Sequence, residues 1–218
     1  MKILDIPQSG SVAGVTSSRN RFGQYRRTRA IPVNPNSGFQ GTVRARLGNS
    51  AATWRTLTAA QRAGWNDLAN AFSRTNSLGE TYNMTGFQCF CSCNNNQSAA
   101  GNALLTDAPA LVTPATLLTA VVTLTAAAFS VAYTTTPLGA GQRLFSYTSL
   151  QRSAGRAFEG DFRLLAVSAA AAASPAVLTA AYTARFGVPI VGNRVFMAFR
   201  LYNGGFLGAP LTMSQVVA

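Results

Sequence analysis

The sequence lacks histidine entirely, has a single lysine, and carries only six carboxylate side chains in 218 residues. Histidine is the commonest general base and a frequent metal ligand, so its absence removes the usual starting point for acid–base catalysis and zinc binding. The carboxylates are Asp5, Asp67, Glu80, Asp107, Glu159 and Asp161. They form no recognisable catalytic motif, and only the last two are close together, in an E-G-D sequence typical of a turn between strands. We therefore expect no enzymatic activity and no bound cofactor.

Cysteine is also scarce, and its spacing excludes the usual structural roles. The three residues Cys89, Cys91 and Cys93 form a C-x-C-x-C sequence. This differs from the C-x-x-C pair of a zinc site, and no second cluster of Cys or His completes four ligands. Residues this close together cannot join distant segments by disulfides. The sequence therefore predicts three reduced, partly buried thiols and no metal site.

Long apolar segments are absent as well, and charged residues are few. No run of eighteen apolar residues exists, and the initial M-K-I-L-D-I-P lacks the apolar region of a signal peptide. We expect no membrane association and no classical secretion. Only 11% of the residues are charged. Because a soluble monomer normally carries mixed surface charges, this composition favours a subunit that neighbours largely cover.

The charge that is present is mostly arginine. The formal net charge is +12, and seventeen of the eighteen basic residues are arginine, the exception being Lys2. The guanidinium group pairs bidentately with carboxylate or phosphate and is less strongly hydrated than ammonium, so it is better suited to interfaces. This bias indicates contacts with acidic proteins or nucleic acid, although a solvated basic surface is the simpler alternative.

The arginines are densest in R-N-R-F-G-Q-Y-R-R-T-R, where we predict a β-hairpin arm with its turn at Asn20 to Gly23. Clustered like charges are costly unless an anionic partner or water relieves them. The following P-V-N-P, Pro32 to Pro35, stiffens the exit from the arm and prevents helix before Asn36. The predicted partner-binding residues are Arg19, Arg21, Phe22, Tyr25, Arg26, Arg27 and Arg29.

After the arm, the pattern becomes helical. Apolar residues recur at three- or four-residue steps from about Ser37, and T-A-A-Q at Thr58 to Gln61 is a capping box for a helix from Ala59 to about Phe72. Trp54 and Trp65 are expected to meet in a small helical core. A third helix is predicted to begin after Thr85, and the polar stretch 94–102 is expected to end this half.

From Pro109 onward the pattern predicts short strands. These are residues 121–125, 129–134, 143–150, 162–168, 194–202 and 211–217. Ser174 and Pro175 are predicted to start a helix that Gly187 ends and that bridges two sheets. The expected fold class is α+β: a helical domain with an arm at 1–107, followed by an all-β sandwich at 108–218.

Two resemblances suggest where such a chain acts. The arginine-rich segment, P-V-N-P, W-R-x-L-T-x-x-Q-R-x-x-W, T-N-S-L-G and T-G-F together resemble uncharacterised phage and prophage proteins. The strand pattern of the C-terminal part resembles fibronectin type III or immunoglobulin-like modules. Such modules occur as decoration and adhesion domains on virions. The resemblances imply a virion structural protein, in head decoration, neck or tail, whose partners are other virion subunits, either copies of itself in a homo-oligomer or capsid and tail proteins.

Two alternatives involve other partners. The segment from Leu47 to Phe72 is similar to the later helices of a high-mobility-group box, which implies an architectural DNA-binding protein. The spacing before Trp54 is longer than in that family, and a first helix with its wedge residue is missing. Alternatively, aromatic residues such as Tyr202 and Phe206, near the turn Asn203 to Gly205, could contact a sugar.

Overall fold

The fold of the chain mixes helices with antiparallel sheets. We describe it from a computed structural model, over residues 8–20, 23–31, 33–71, 73–75, 78–112, 117, 119–134 and 136–218. The helices in these ranges are α1 (Gly38–Thr56), α2 (Ala59–Asn70), α3 (Gly86–Ala99) and α4 (Thr179–Phe186). The N-terminal strands are β1 (Gly10–Val12), β2 (Val15–Asn20), β3 (Gly23–Thr28), β4 (Ser73–Thr75) and β5 (Thr81–Asn83). The C-terminal strands are β6 (Thr119–Leu124), β7 (Phe129–Thr134), β8 (Arg143–Thr148), β9 (Arg163–Val167), β10 (Ala176–Val177), β11 (Arg194–Asn203), β12 (Phe206–Leu207) and β13 (Leu211–Val216). The predicted α+β class is confirmed.

The chain divides into two compact units, Met1–Val43 and Arg44–Ala218. The first contains β1, β2, β3 and the beginning of α1, and the second contains the rest of α1 and all later elements. The predicted boundary near Asp107 lies inside the second unit. None of the helices in the described ranges combines the length and the apolar content that crossing a bilayer requires.

Capping boxes fix where α2 and α3 begin. The Thr58 hydroxyl accepts a hydrogen bond from the Gln61 amide at 3.2 Å, and the Gln61 side chain accepts one from the Thr58 amide at 2.9 Å. Thr85 and Gln88 repeat the arrangement at 3.3 and 3.0 Å. Each box satisfies two amides that have no partner within the helix. Both predicted helix starts are confirmed.

The helical core is built around three aromatic rings. Trp65 is fully buried and packs edge-on against Phe90, with ring centroids 5.2 Å apart, and Trp54 contacts the same Phe90 ring at 5.4 Å. Trp65 also donates its indole N–H to the Thr106 carbonyl at 2.9 Å. The buried indole thus keeps a polar partner. The expected tryptophan-containing core is confirmed, with Phe90 in contact with both rings.

Two antiparallel sheets form the C-terminal part. One has the order β10-β7-β6, and the other has β12-β11-β8-β9 with β13 paired to β11. Alternating residues of β7 and β11, including Val131, Met197 and Phe199, are buried in one shared hydrophobic cluster. The six predicted strands are all present, within two residues of their predicted bounds. A core between the two sheets is what period-two alternation produces.

The helix predicted to start at Ser174 begins later. The Ser174 hydroxyl accepts from the Tyr133 amide at 3.0 Å, so it binds a neighbouring strand and caps no helix. Ala176 and Val177 then pair with β7 as β10, and α4 starts only at Thr179. Pairing with the edge of β7 thus outweighs the local helix signal at Ser174 and Pro175. The predicted end at Gly187 is confirmed, and α4 packs against β7 and β9, which belong to different sheets.

The polar stretch 94–102 was expected to end the helical half, but its first six residues continue α3. Gln97 is buried, and its side-chain oxygen accepts from the Tyr202 hydroxyl at 2.6 Å and from the Asn102 side chain at 2.9 Å. Asn96 donates to the Gly205 carbonyl at 2.7 Å. Buried Asn94 exchanges two hydrogen bonds with the Leu105 backbone, at 2.7 and 3.1 Å. We call the contacts of Asn96, Gln97 and Asn102 with the β11–β12 region the polar seam, since they join α3 to it.

Removing one hydroxyl of the polar seam should destabilise the chain. Tyr202→Phe deletes the donor to buried Gln97, so we expect the free energy of unfolding to fall by about 1–2 kcal/mol. Urea unfolding measures the change. Tyr82→Phe is the control, because Tyr82 is 47% exposed and should tolerate the loss. Equal stability of the two variants would show that the polar seam does not stabilise the fold.

Candidate partner-binding site

The arginine-rich segment forms a three-stranded antiparallel sheet of β1, β2 and β3, which we call the ribbon. Asn20 is paired with Gly23, so the predicted hairpin is confirmed. Arg21 and Phe22, two of the predicted partner-binding residues, lie outside the described residues, as does Pro32. Strand β1 was not predicted, because the turn before β2 uses Ala13 at a φ of +50°, a conformation that alanine rarely adopts and that gives no sequence signal.

The strand register places the arginines on both faces of the ribbon. Arg27 is opposite Thr16 and Tyr25 is opposite Ser18, while Arg26 is opposite Ser17 on the next position along β3. Because side chains alternate between faces, Arg27 and Tyr25 share one face and Arg26 lies on the other. By the same alternation Arg29 joins Arg27 and Arg19 joins Arg26. The predicted cluster is therefore divided into two pairs.

The described residues of the ribbon form no hydrophobic core. None of the residues 8–19, 23–31 and 33–37 is buried, and Val12 is 81% exposed. Tyr25 is only half-buried, while Arg19, Arg27 and Arg29 are exposed. Small sheets need a buried hydrophobic face for independent stability. The backbone pairing of the ribbon is thus present without the apolar burial that would maintain it.

Two hydrogen bonds of the ribbon have uncharged acceptors. Arg26 donates to the side-chain oxygen of Gln8 at 2.9 Å, and Gln24 donates to the Gln8 carbonyl at 3.3 Å. Residues 8–37 contain no aspartate or glutamate. The ribbon consequently supplies no anion to its own arginines. Its chemistry is that of a two-sided cation that can bind carboxylates or phosphates on both faces.

The E-G-D sequence lies between strands as expected, in the connection between β8 and β9. Glu159 is buried and accepts from the amides of Gly160 and Asp161 at 3.1 and 3.2 Å. Its other oxygen is 2.6 Å from Arg152 and 3.4 Å from Arg156. The Asp161 amide, followed by the Arg152 hydrogen bond and the charges of both arginines, lowers the Glu159 pKa, although desolvation opposes the shift. These contacts describe a structural ion pair.

The remaining predicted residues have structural positions. None of the three cysteines forms a disulfide, Cys89 and Cys93 are buried, and burial raises the pKa of the Cys91 thiol. Across the described residues, no three side chains of the types His, Cys, Asp or Glu are grouped as a metal site. Tyr202 and Phe206 are 1% and 5% exposed, so the suggested sugar contact through them is wrong. Both side chains are instead buried in hydrophobic clusters that include residues of the helical part.

Glu159 should make stability depend on pH. Its pKa in the folded chain is lowered from the ordinary 4.5, so the stabilisation is complete above that value and is lost as the pH falls below it. We expect the wild-type chain to unfold at higher urea than Glu159→Gln at pH 7, and the difference to shrink below pH 4.5. Asp161→Asn, which changes an exposed carboxylate of the same turn, should show a smaller difference. A gap between wild type and Glu159→Gln that stays constant with pH would contradict the assignment.

The ribbon is therefore the candidate functional site. It brings together Arg19, Tyr25, Arg26, Arg27 and Arg29, five of the seven predicted residues, on one small sheet. Comparison of the chain with protein-family models, curated proteins and solved structures gives no match, so the function proposed below rests on the residues themselves.

Proposed function

We propose that the chain is a structural subunit of a bacteriophage virion, in head decoration, neck or tail, that is anchored by its ribbon to acidic surfaces of neighbouring subunits. The single observation that carries this proposal is the absence of any buried residue among 8–19, 23–31 and 33–37, in a segment whose arginines are largely exposed. A sheet of this kind gains its stability from a partner. An assembly that buries large surfaces offsets the entropy of ordering such a segment.

The distribution of charge favours an acidic protein that contacts both faces. Arg27 and Arg29 lie on one face and Arg19 and Arg26 on the other, so a single flat partner could reach only half of them. A slot between two subunits engages both. Tyr25 supplies an aromatic anchor of the type that dominates binding energy at interfaces.

The charge balance also bears on the identity of the partner. The chain has a formal net charge of +12 and only six carboxylates. Two of these, Glu159 and Asp161, already pair with arginines of the same chain. A homo-oligomer would therefore bring together surfaces of like charge, which is costly unless an anion lies between them. An acidic subunit of another sequence is the partner we favour.

The C-terminal part suits display on a particle surface. Without the short β12, this part has seven strands: β6, β7, β8, β9, β10, β11 and β13. The first, second and fifth of them (β6, β7 and β10) form one sheet, and the other four form the second. In immunoglobulin constant domains the fourth strand joins the first sheet, whereas here β9 pairs with β8. The order resembles that of fibronectin type III modules, with β12 added. This resemblance supports a sandwich that serves as a decoration or adhesion module.

A nucleic-acid-binding protein is the second candidate. The observation that favours it is the ribbon itself, since residues 8–37 carry five arginines and no carboxylate, and phosphates would satisfy them equally well. The resemblance to a high-mobility-group box supports this candidate less strongly than the ribbon does. Trp54 and Trp65 contact Phe90 in the helical core, which leaves these rings in structural positions.

Incorporation into particles tests the proposal. We expect mass spectrometry of gradient-purified particles, made by the phage genome that encodes the chain, to detect it as a stoichiometric component. Replacing Arg19, Arg27 and Arg29 together by Gln should reduce its copy number at least ten-fold, because the anchoring cations are lost. The control replaces three exposed arginines outside the ribbon, Arg55, Arg156 and Arg163, and removes the same charge.

Two outcomes would contradict the virion proposal. The first is the absence of the chain from purified particles. The second is an equal loss from both triple variants, which would indicate a general charge effect. Binding of the purified chain to duplex DNA with a defined stoichiometry at 150 mM salt, abolished by the ribbon triple variant alone, would instead favour the nucleic-acid candidate.

A further inference from the structure

A half-open cleft of about 380 Å³ lies where α3 faces the β11–β12 hairpin, within the second compact unit. This volume falls in the range of small-molecule sites. Both apolar and polar side chains line the cleft. The residues that matter for its chemistry are the apolar Met84 and Leu207 and the polar Ser92, Asn96 and Arg200.

The walls of the cleft are fixed by contacts that are independent of any ligand. Asn96 donates to the Gly205 carbonyl at 2.7 Å, which holds the hairpin turn against α3. Phe206 is buried in the same cluster as Cys89 and Cys93 of α3. Because these contacts already exist, the cleft is preformed and a ligand would not have to order it.

Arg200 gives the cleft its charge. It is half-buried on β11, opposite Phe145, and donates its Nε–H to the Gly208 carbonyl at 2.9 Å. No carboxylate lines the cleft. Among the described residues Arg200 forms no ion pair, in contrast to Arg152, Arg156 and Arg163. The half-buried guanidinium of Arg200 has five N–H donors, and its one hydrogen-bond acceptor in the described part of the chain is a neutral carbonyl.

We propose that this cleft binds an anionic group, a carboxylate or a phosphate monoester, that carries a small apolar substituent. The unused edge of the guanidinium offers the paired N–H donors that such groups accept. Met84 and Leu207, two apolar residues of the lining, would contact the substituent. The anion can belong to a free small molecule or to the C-terminus of a partner chain, and the two sources share the same chemistry. The site is separate from the ribbon and does not depend on the proposed virion role.

Titration of the purified full chain, followed by amide NMR shifts, tests the proposal. The probes are 3-phenylpropionate, phenyl phosphate and the neutral 3-phenylpropanamide. We expect the two anions to shift the amides of residues 89–96, 200 and 205–207, and the amide probe to bind at least ten-fold more weakly. A tetrapeptide ending in Leu-Phe with a free carboxylate, compared with its amidated form, tests the partner C-terminus as the source.

Three variants separate the site from general charge attraction. Arg200→Gln should weaken binding of the anions about ten- to hundred-fold, as expected for loss of charged hydrogen bonds. Arg163→Gln, which removes an exposed arginine elsewhere in the unit, should leave binding unchanged. Ser92→Leu keeps the charge but fills the cleft, and should also abolish binding. Unfolding curves of each variant verify that it is folded.

The proposal is overturned by any of three results. No shifts at millimolar probe would show that the cleft takes no such ligand. Equal binding of the acid and the neutral amide would remove the role of the charge. Unchanged binding by Arg200→Gln would mean that this guanidinium only tethers the Gly208 backbone. None of these results would alter the incorporation of the chain into particles, so they do not bear on the proposed virion role.

Discussion

The polar seam between α3 and the β11–β12 region is the constraint on which the second unit depends. Buried Gln97 and Tyr202 hydrogen-bond to each other and both accept from exposed Asn102, and a buried group left without a partner would cost about 1–3 kcal/mol. Such hydrogen bonds have directions, so they define how α3 lies on the outer side of β11. Apolar contacts then follow: Ala100 packs with Phe145 and Tyr202. These polar contacts, together with the packing of Phe206 in the helical cluster, join the helical and β-sheet cores.

The ribbon is organised on a different principle. The second unit has hydrophobic clusters with fully buried side chains, whereas residues 8–19, 23–31 and 33–37 have none. Its strands are paired, but its side chains are arginines, small polar residues and exposed valines. On the proposed function, the ribbon gains its stability from a partner, and guanidinium groups favour an anionic one. A unit with buried cores and an arm without buried residues in its described part fit the proposed role as a subunit.

Much of this fold could be predicted because its signals are local. The capping boxes at Thr58 and Thr85 and the six alternating strands follow from spacing alone. What could not be predicted depends on distant partners. β10 forms because β7 offers an edge, and Gln97 is buried because Tyr202 lies opposite it. The ribbon arginines were found from their density, but their division between two faces required the register. No sequence pattern marked Arg200 as a binding residue, because its candidate role depends on the cleft that it lines and on the absence of a carboxylate from that lining.

The central claim is that the ribbon depends on an anionic partner for its stability. Hydrogen–deuterium exchange of backbone amides measures this directly, with the purified chain compared with the chain in assembled particles. In the free chain the amides of β2 and β3 should exchange at least a thousand-fold faster than those of α3 and β11, and assembly should slow exchange in the ribbon selectively. Ribbon amides that are as strongly protected in the free monomer as those of β11 would contradict the account.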